Sequence, residues 1–337
     1  MERLRIGLIG CGGAAGWHAG TLLGLAEAHI VALADPSSAN LDRMCDQYPA
    51  LVGVPRFGSA DEMYKQIELD GVVIVTPHTL HAAQVLQAIG RGLHVLCEKP
   101  LACTPADARA IAQAAEAARV TVMVSYQRRL DPAYLYMRQA IQEGRLGRLQ
   151  TVSITCGQDW LKNTTGTWRQ DPALSGGGML MDSGSHLVDM LLWLTDQPIS
   201  SVSALVDNLG QTVEMNSIAL IQFVGGAQAQ LTAVGNLPAT WIESVLVVGT
   251  SGVLRYDTEP QHPWRTGRVV HYRDGDIVQP LDLPAGGTPD EAWIDAIQGR
   301  APNPAPPAAG VAVADLSTAI YEAAATGQII KLGSQSL

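Results

Sequence analysis

Short apolar runs alternate with helical segments over the first part of the chain. The apolar runs cover residues 6–9, 30–34, 72–75, 94–96 and 120–124. The segments with helical character between them cover residues 16–28, 79–91 and 104–119. Strands of a parallel sheet are buried on both faces, so continuous apolar runs separated by helices predict a doubly wound α/β domain over residues 1–126.

The pattern changes after Tyr126. A helix is predicted over residues 132–142, and strands follow with few helices between them, at 149–155, 200–207, 217–223, 227–234 and 244–249. Long strands in succession favour a large, mostly antiparallel open sheet in an α+β domain over residues 127–337. The Pro- and Ala-rich stretch 301–309 predicts a connector before a closing helix over 311–325, for which packing back on the first domain is left open.

Composition agrees with two buried, globular domains. Of the 337 residues, 47% are hydrophobic and 16% are charged. The net charge of −10 disfavours binding to nucleic acid or to an anionic membrane. No apolar stretch is long enough to span a bilayer, and Met1 is followed almost at once by a strand rather than by a signal segment. Five scattered cysteines without a C-x-x-C pair favour neither disulfides nor a zinc site, so a cytoplasmic protein is expected.

A polar stripe is predicted on a helix that follows three glycines. Asp182 and His186 are four residues apart, and on a helix Asp189 and Trp193 continue the same stripe. The pattern is open to three interpretations: a catalytic face, part of a metal site or a solvated face. Three consecutive glycines, 176–178, indicate a tight turn or a close approach of the backbone, as in the floor of a pocket.

A glycine-rich loop separates the first strand from the first helix. Its sequence is Gly10-x-Gly12-x-x-Ala15, with Gly13 and Ala14 completing the turn. Glycines there permit a tight turn and let a pyrophosphate approach the positive end of the helix. The position between strand and helix favours a dinucleotide site over an ordinary tight turn.

Two further positions suit a nicotinamide cofactor. Asp35 ends the second strand and is placed to accept hydrogen bonds from a ribose, which favours NAD over NADP because its charge would repel a 2′-phosphate. Arg43 is the first basic residue to follow it. Glu98-Lys99-Pro100 follows the strand at 94–96, and a lysine at the carboxyl end of such a strand faces the ligand crevice. The alternatives are a cap or turn residue for Asp35 and a surface turn for Glu98 to Pro100.

Together these motifs resemble the glucose-fructose oxidoreductase/inositol dehydrogenase/MocA (Gfo/Idh/MocA) family over nearly the full chain. The similar positions are Gly10, Gly12, Ala15 and His18, Thr76-Pro77-x-x-x-His81, Glu98-Lys99-Pro100-Leu101, Gly176-Gly177-Gly178 and Asp182-x-Gly184-x-His186-x-x-Asp189. Gly144-x-x-Gly147, Trp168-Arg169 and Gly249-x-x-Gly252 add to the likeness. Ala15 replaces the commoner third glycine.

The resemblance implies an N-terminal Rossmann domain that binds NAD, and a C-terminal domain for substrate binding and oligomerisation through its open sheet, as a dimer or tetramer. It implies a substrate site between the domains, with Lys99, Asp182 and His186 as catalytic and substrate-binding residues. Glu98 is expected beside the nicotinamide, and a cis peptide bond is expected between Lys99 and Pro100. Which of Lys99 and His186 first takes the proton is left open.

The remaining candidates lie around these motifs. The expected cofactor contacts are Thr76, Pro77, His78, His81, Lys99, Gln127, Trp168 and Arg169. The expected substrate contacts are Arg128, Trp160 and Lys162. A surface histidine, an interdomain ion pair and a solvated loop are the alternatives for His81, Arg128 and Trp160, respectively.

The function expected from the resemblance is NAD-dependent hydride transfer to or from a ring secondary hydroxyl of a sugar, inositol or related polyol. No metal is expected, because hydride transfer to a nicotinamide needs none. The alternatives are an NAD-dependent glycosidase of the same family and a noncatalytic nucleotide-bound sugar sensor.

Overall fold

The computed structural model describes residues 3–238, 241–259, 267–273, 275–278 and 282–333. The chain divides into two compact units. The first comprises Met1–Ala102, Ala106–Tyr126 and Gly287–Gly310, and the second comprises Cys103–Pro105, Gln127–Gly286 and Val311–Leu337.

The assignment of Gly287–Gly310 to the first unit differs from the predicted domain boundary, which placed everything after residue 126 in the second. Trp293 explains the difference, because its side chain is fully buried and lies against Gly71, where a Cβ atom would come within 2.8 Å of the indole. The closing helix from Val311 onward belongs to the second unit rather than to the first. A segment this far along the chain has no local signal that shows where it packs.

The first unit is built on a parallel sheet. Its six strands are β1 (Leu4–Ile9), β2 (Ala28–Ala34), β3 (Arg56–Phe57), β4 (Gly71–Ile74), β5 (His94–Cys97) and β6 (Val122–Val124). Their order is β3-β2-β1-β4-β5-β6, and all neighbouring pairs are parallel. This is the doubly wound Rossmann topology predicted from the sequence, and the strand order reverses between β1 and β4, where ligands bind in such sheets.

Helices connect these strands. They are α1 (Ala15–Gly24), α2 (Ser38–Gln47), α3 (Ala60–Gln66), α4 (His78–Ile89) and α5 (Pro105–Ala118). The late helix α10 (Pro289–Ile297) also belongs to this unit. Helix α1 ends four residues earlier than predicted, because the chain enters β2 at Ala28. Helices α2 and α3 and strand β3 were not predicted from the sequence. The first of these helices has a low mean hydropathy and a serine cap, Ser37, that accepts from the amide of Asn40.

The second unit is built on a nine-stranded sheet. Its strands are β7 (Leu149–Gln158), β8 (Ile199–Asp207), β9 (Asn216–Phe223), β10 (Gln228–Val234), β11 (Trp241–Gly249), β12 (Gly252–Asp257), β13 (Arg268–Arg273), β14 (Asp276–Val278) and β15 (Ile330–Lys331). Their order is β14-β13-β12-β11-β7-β10-β9-β8-β15. All pairs are antiparallel except β7 with β10, which confirms a large, mostly antiparallel sheet.

Five further helices belong wholly or mainly to this unit. They are α6 (Pro132–Gln142), α7 (Trp160–Thr164), α8 (Pro172–Ser175), α9 (Gly184–Thr195) and α11 (Pro307–Thr326). Helix α9 packs on β7 and β10 and buries four apolar residues whose spacing is typical of one helix face. These are Leu187, Met190, Leu191 and Leu194. No helix in the described ranges is both long and apolar enough to cross a bilayer.

Candidate active site

The glycine loop between β1 and α1 has the shape that a dinucleotide loop requires. Gly10 has a φ of +85°, and a Cβ atom there would lie 2.5 Å from the carbonyl oxygen of Val75, so only glycine fits. Cβ atoms built on Gly12 or Gly13 would meet nothing within 4 Å. The backbone at Gly12 and Gly13 is therefore open to the close approach of a ligand.

The start of α1 supplies the electrostatics for that ligand. Its N-cap is Ala14, whose methyl group makes no capping hydrogen bond. The first amides of a helix lack intrahelical partners, and the helix dipole places positive charge there, so an uncapped N-terminus beside an open loop suits a pyrophosphate. The residues from Gly10 to Ala15 thus fit the cofactor predicted from the sequence.

Asp35 lies beside the loop, where β2 ends. Its buried carboxylate accepts hydrogen bonds from the amide of Cys11 at 2.7 Å, the amide of Ser37 at 2.8 Å and the side-chain amide of Asn40 at 3.1 Å. Arg43 donates to the carbonyl of Cys11 at 3.3 Å. Asp35 therefore fixes the turn that it adjoins, and the side chain that caps α2 is Ser37 rather than Asp35.

Lys99 follows β5 in the same sheet. The peptide bond between Lys99 and Pro100 is cis, which confirms the prediction. The amide of Lys99 donates to Oε2 of Glu98 at 3.2 Å. Burial alone would raise the pKa of Glu98, but a hydrogen bond and the charge of His18, with lesser effects of Lys99 and Ser125, lower it to about 2. Glu98 is therefore an anion at the carboxyl end of β5.

The predicted cofactor residues after β4 form the turn into α4. Thr76 donates to Gln84 at 2.5 Å, and Pro77 is the N-cap position of the helix. His78 and His81 are buried rather than exposed, so the surface interpretation of His81 was wrong. His81 lies 2.7 Å from the carbonyl of Pro100 and 2.8 Å from that of Thr76. Burial and the nearby His78 lower its pKa to about 4, so the ring is neutral and its single N–H donates to one of these two carbonyls.

In the second unit, Glu214 explains the last of the three glycines, Gly178. A Cβ atom on Gly178 would lie 1.9 Å from the carbonyl oxygen of Glu214. The Glu214 side chain, which is buried, accepts from the amides of Gly178 at 2.6 Å and Leu180 at 3.0 Å and from the hydroxyl of Tyr321 at 2.8 Å. Burial raises the pKa of Glu214 despite these donors. The close approach predicted from the glycines is made by the chain itself.

Asp182 follows this loop and accepts hydrogen bonds from two segments that each contain a tryptophan. Its Oδ2 atom accepts from the indole of Trp160 at 2.9 Å and from Nε of Arg169 at 2.9 Å. The guanidinium of Arg169 stacks over Trp168 with its central carbon 4.4 Å from the ring centroid. The structure therefore brings together four of the residues singled out in the sequence. Trp160 lies in a short helix and is buried, which contradicts the solvated-loop alternative.

The polar stripe is only partly as predicted. His186 lies in the first turn of α9 and is buried, but the helix begins at Gly184, so Asp182 precedes it. Asp189 is not part of a catalytic face. It is fully buried, and its carboxylate accepts a hydrogen bond from Nη2 of Arg129 at 2.6 Å. Trp193 lies under the guanidinium of Arg129, 5.8 Å away. A helical wheel could not show this, because Arg129 is 60 residues away in sequence.

The other predicted contacts are more dispersed. Arg128 is buried in a bidentate pair with Glu243, and both residues belong to the second unit, so the pair is not the interdomain one considered from the sequence. Gln127 is exposed at the start of a short 3₁₀ helix, Gln127–Leu130. Lys162 is 82% exposed and lies 3.9 Å from Asp159. Geometry gives these three residues no direct part in the cluster around Asp182.

The described residues do not support a metal centre. No group of three or more His, Cys, Asp and Glu side chains there is arranged to hold a metal ion. The five cysteines are free thiols.

Comparison with known proteins identifies both units. Residues 4–126 match the model of an oxidoreductase family with an NAD-binding Rossmann fold, and residues 134–255 match the GFO/IDH/MocA C-terminal domain. The chain is 32% identical to the 1,5-anhydro-D-fructose reductase of Ensifer adhaerens over 81% of this chain and 83% of that protein. The chain belongs to the GFO/IDH/MocA family of oxidoreductases.

Two other similarities agree with this assignment. The rhizopine catabolism protein MocA of Rhizobium meliloti is 34% identical over 58% of this chain, and the matched region spans 59% of that relative's length. The WlbA dehydrogenase of Bordetella pertussis, solved in complex with NADH and UDP-GlcNAcA, has a TM-score of 0.88 and 26% identity, and the match covers 98% of this chain and 99% of that one. The first unit is thus the NAD-binding Rossmann domain of a GFO/IDH/MocA oxidoreductase.

Sequence reasoning missed several residues that support the site of this GFO/IDH/MocA chain. Glu214 holds the triple-glycine loop, and Asp290 forms an ion pair with His18. Asp290 is 272 residues from its partner, and Glu214 is 36 residues from Gly178. No spacing rule connects acids to partners so far along the chain. In the sequence, His18 stands out only as one of the positions similar to the family.

Proposed function

We propose that the protein catalyses NAD-dependent hydride transfer to or from a ring secondary hydroxyl of a sugar, inositol or related polyol. The observation that carries this proposal is the placement of Lys99. It follows β5 of the same parallel sheet whose β1 leads into the open glycine loop. In sheets of this kind, ligands bind beyond the carboxyl ends of the strands, so a proton-transferring side chain stands on the ligand side.

Oxidation of a secondary alcohol removes a hydride from the carbon and a proton from the hydroxyl. Bound NAD supplies the hydride acceptor. His186 and Lys99 are the groups proposed to act on the hydroxyl: one takes the proton while the other stabilises negative charge on the oxygen. Asp182, oriented by Trp160 and Arg169, is proposed to hold a neighbouring substrate hydroxyl.

The named activities of the relatives support this substrate class. One relative is a 1,5-anhydro-D-fructose reductase, and another, 26% identical over 76% of this chain, is an inositol 2-dehydrogenase of Rhizobium meliloti. Their substrates are rings with several hydroxyls. A carboxylate beside an indole and a guanidinium, as around Asp182, is suited to binding such rings through hydrogen bonds and stacking.

The proposal is tested by a spectrophotometric assay of NADH formation. The purified chain is offered NAD or NADP with monosaccharides, inositols, anhydrosugars and glycosides. We expect NADH to form with at least one ring polyol. Glycoside cleavage without net NADH would instead identify a glycosidase, and binding of sugar without turnover would identify a sensor. A preference for NADP would contradict the role given to Asp35, whose carboxylate repels a 2′-phosphate.

We also propose that the protein forms a homo-oligomer through the nine-stranded sheet. Leu205 of β8 is paired with Ile218 of β9, and both are exposed together with Leu220 on one face of the sheet. A cluster of adjacent exposed apolar side chains is typical of an interface. We expect Leu220→Glu to lower the mass measured by light scattering without changing the affinity for NAD. Val224→Glu, an exposed apolar position in the turn after β9, is the matched control. A monomeric parent protein would contradict the proposal.

A further inference from the structure

His18 is enclosed by two carboxylates in the first unit. Its Nδ1 atom lies 3.0 and 3.1 Å from the two carboxylate oxygens of Asp290, and its Nε2 atom lies 3.1 Å from Oε1 of Glu98. The His18 and Asp290 side chains are only 5% and 4% exposed. Ionised carboxylates only accept hydrogen bonds, and a neutral imidazole has one N–H. Donation to both acids therefore requires the doubly protonated, positively charged ring.

The electrostatics agree with the geometry. Burial alone would lower the pKa of His18, but the charge and hydrogen bond of Asp290, together with those of Glu98, raise it to about 10. The charged groups that act on the ring are Asp290 from α10 and Glu98 from the end of β5, and Lys99 acts in turn on Glu98. The ring therefore remains a cation over the physiological range.

The three side chains connect the glycine-loop helix to the proposed catalytic lysine. His18 lies on α1, one turn after Ala15, and Asp290 lies in the first turn of α10, whose start is fixed by a capping box of Thr288 and Glu291. Glu98 contacts His18 through one carboxylate oxygen and accepts the amide of Lys99 on the other. Each step of this connection is a hydrogen bond with a charged partner, the stronger kind.

We propose that His18, held by Asp290, is a positioning residue: its imidazolium keeps Glu98 ionised and fixed, and Glu98 thereby fixes the backbone at Lys99. We call the three side chains of Asp290, His18 and Glu98 the acid–imidazolium clamp. The inference rests on the proposed function only for the role of Lys99. Since small displacements of a catalytic group are costly, loosening the clamp should lower kcat more than it changes KM.

The test compares Asp290→Asn with the parent protein. The amide preserves shape but removes the charge that stabilises the imidazolium, so the pKa of His18 falls from its value of about 10. We expect the basic limb of the kcat–pH profile to move to lower pH, with kcat about 10- to 100-fold lower at the alkaline end and KM nearly unchanged. His18→Gln should lower kcat over the whole pH range. Asp295→Asn, an exposed acid on the same helix, is the control and should behave as the parent.

Two readouts do not depend on turnover. Nitrogen NMR of labelled histidine should show both ring nitrogens of His18 protonated at neutral pH. The stability that Asp290 confers should be complete below pH 6.5 and disappear as the pH rises through about 10, because the pKa of His18 is raised by folding.

The outcomes separate the clamp from the proposed function. A singly protonated His18 at neutral pH overturns the clamp, and so does an Asp290→Asn enzyme that folds and keeps the parent's pH profile. A protein that binds NAD but oxidises no polyol contradicts the proposed function instead, and the NMR and stability measurements then still decide whether the clamp exists.

Discussion

Lys99→Met and His186→Asn are each expected to lower kcat by about 10²- to 10⁴-fold, because each removes a group proposed either to take the hydroxyl proton or to stabilise the negative charge left on the oxygen. Methionine keeps the length of Lys99 without its charge, and asparagine keeps a hydrogen-bonding group in the buried position of His186. Binding of NAD should change far less than kcat, because neither residue belongs to the glycine loop, which is expected to hold the pyrophosphate. Steady-state rates with a ring polyol that supports NADH formation in the assay above, and titration of NAD by fluorescence, provide the two measurements.

Matched controls and a double variant sharpen this test. Lys65→Met on α3 and His29→Asn on β2 change the same residue types at exposed positions and should leave kcat unaltered. If both groups act on the same hydroxyl, the double variant should be hardly slower than the slower single one, because the effects of residues that act as a unit are not additive. Full activity in either single variant would remove that residue from the proposed chemistry.

The sequence predicted the first sheet better than the second for a physical reason. Parallel strands buried on both faces give continuous apolar runs, and five of the six strands were located in this way; the exception, β3, has only two residues. In the second sheet, the strands β12 to β15 were not predicted. Along β12 and β13, buried residues alternate with more exposed ones such as Arg255 and Arg268, so the apolar runs in these strands are short.

The candidate site was predictable where its residues lie in local motifs. The glycine loop, Asp35, the Glu98-Lys99-Pro100 motif and the Asp182/His186 segment all stand beside the strand or helix that positions them. Their supporting partners were not predictable. Helical spacing puts Asp189 on the predicted catalytic face, because spacing cannot show that Arg129 pairs with it. Nothing in the sequence around Asp290 indicates that it contacts His18.

Two single alanine substitutions in the glycine loop distinguish an effect on stability from an effect on cofactor binding. Gly10→Ala is expected to destabilise the protein by about 3 kcal/mol or more, since alanine is strained at positive φ and its Cβ would overlap the carbonyl of Val75. Gly12→Ala adds a methyl group where nothing lies within 4 Å, so its unfolding free energy should stay within about 0.5 kcal/mol of the parent's. Thermal and denaturant unfolding measure both.

For NAD binding, the informative variant is Gly12→Ala. If the pyrophosphate approaches the backbone at Gly12, the methyl group occupies its place, and the Kd for NAD should rise about 10- to 100-fold in a fully folded protein. Gly24→Ala, at the far end of α1, also adds a Cβ in open space and should change neither stability nor Kd. Unchanged NAD affinity in Gly12→Ala would place the pyrophosphate away from this residue, and the open backbone at Gly12 would then need another explanation.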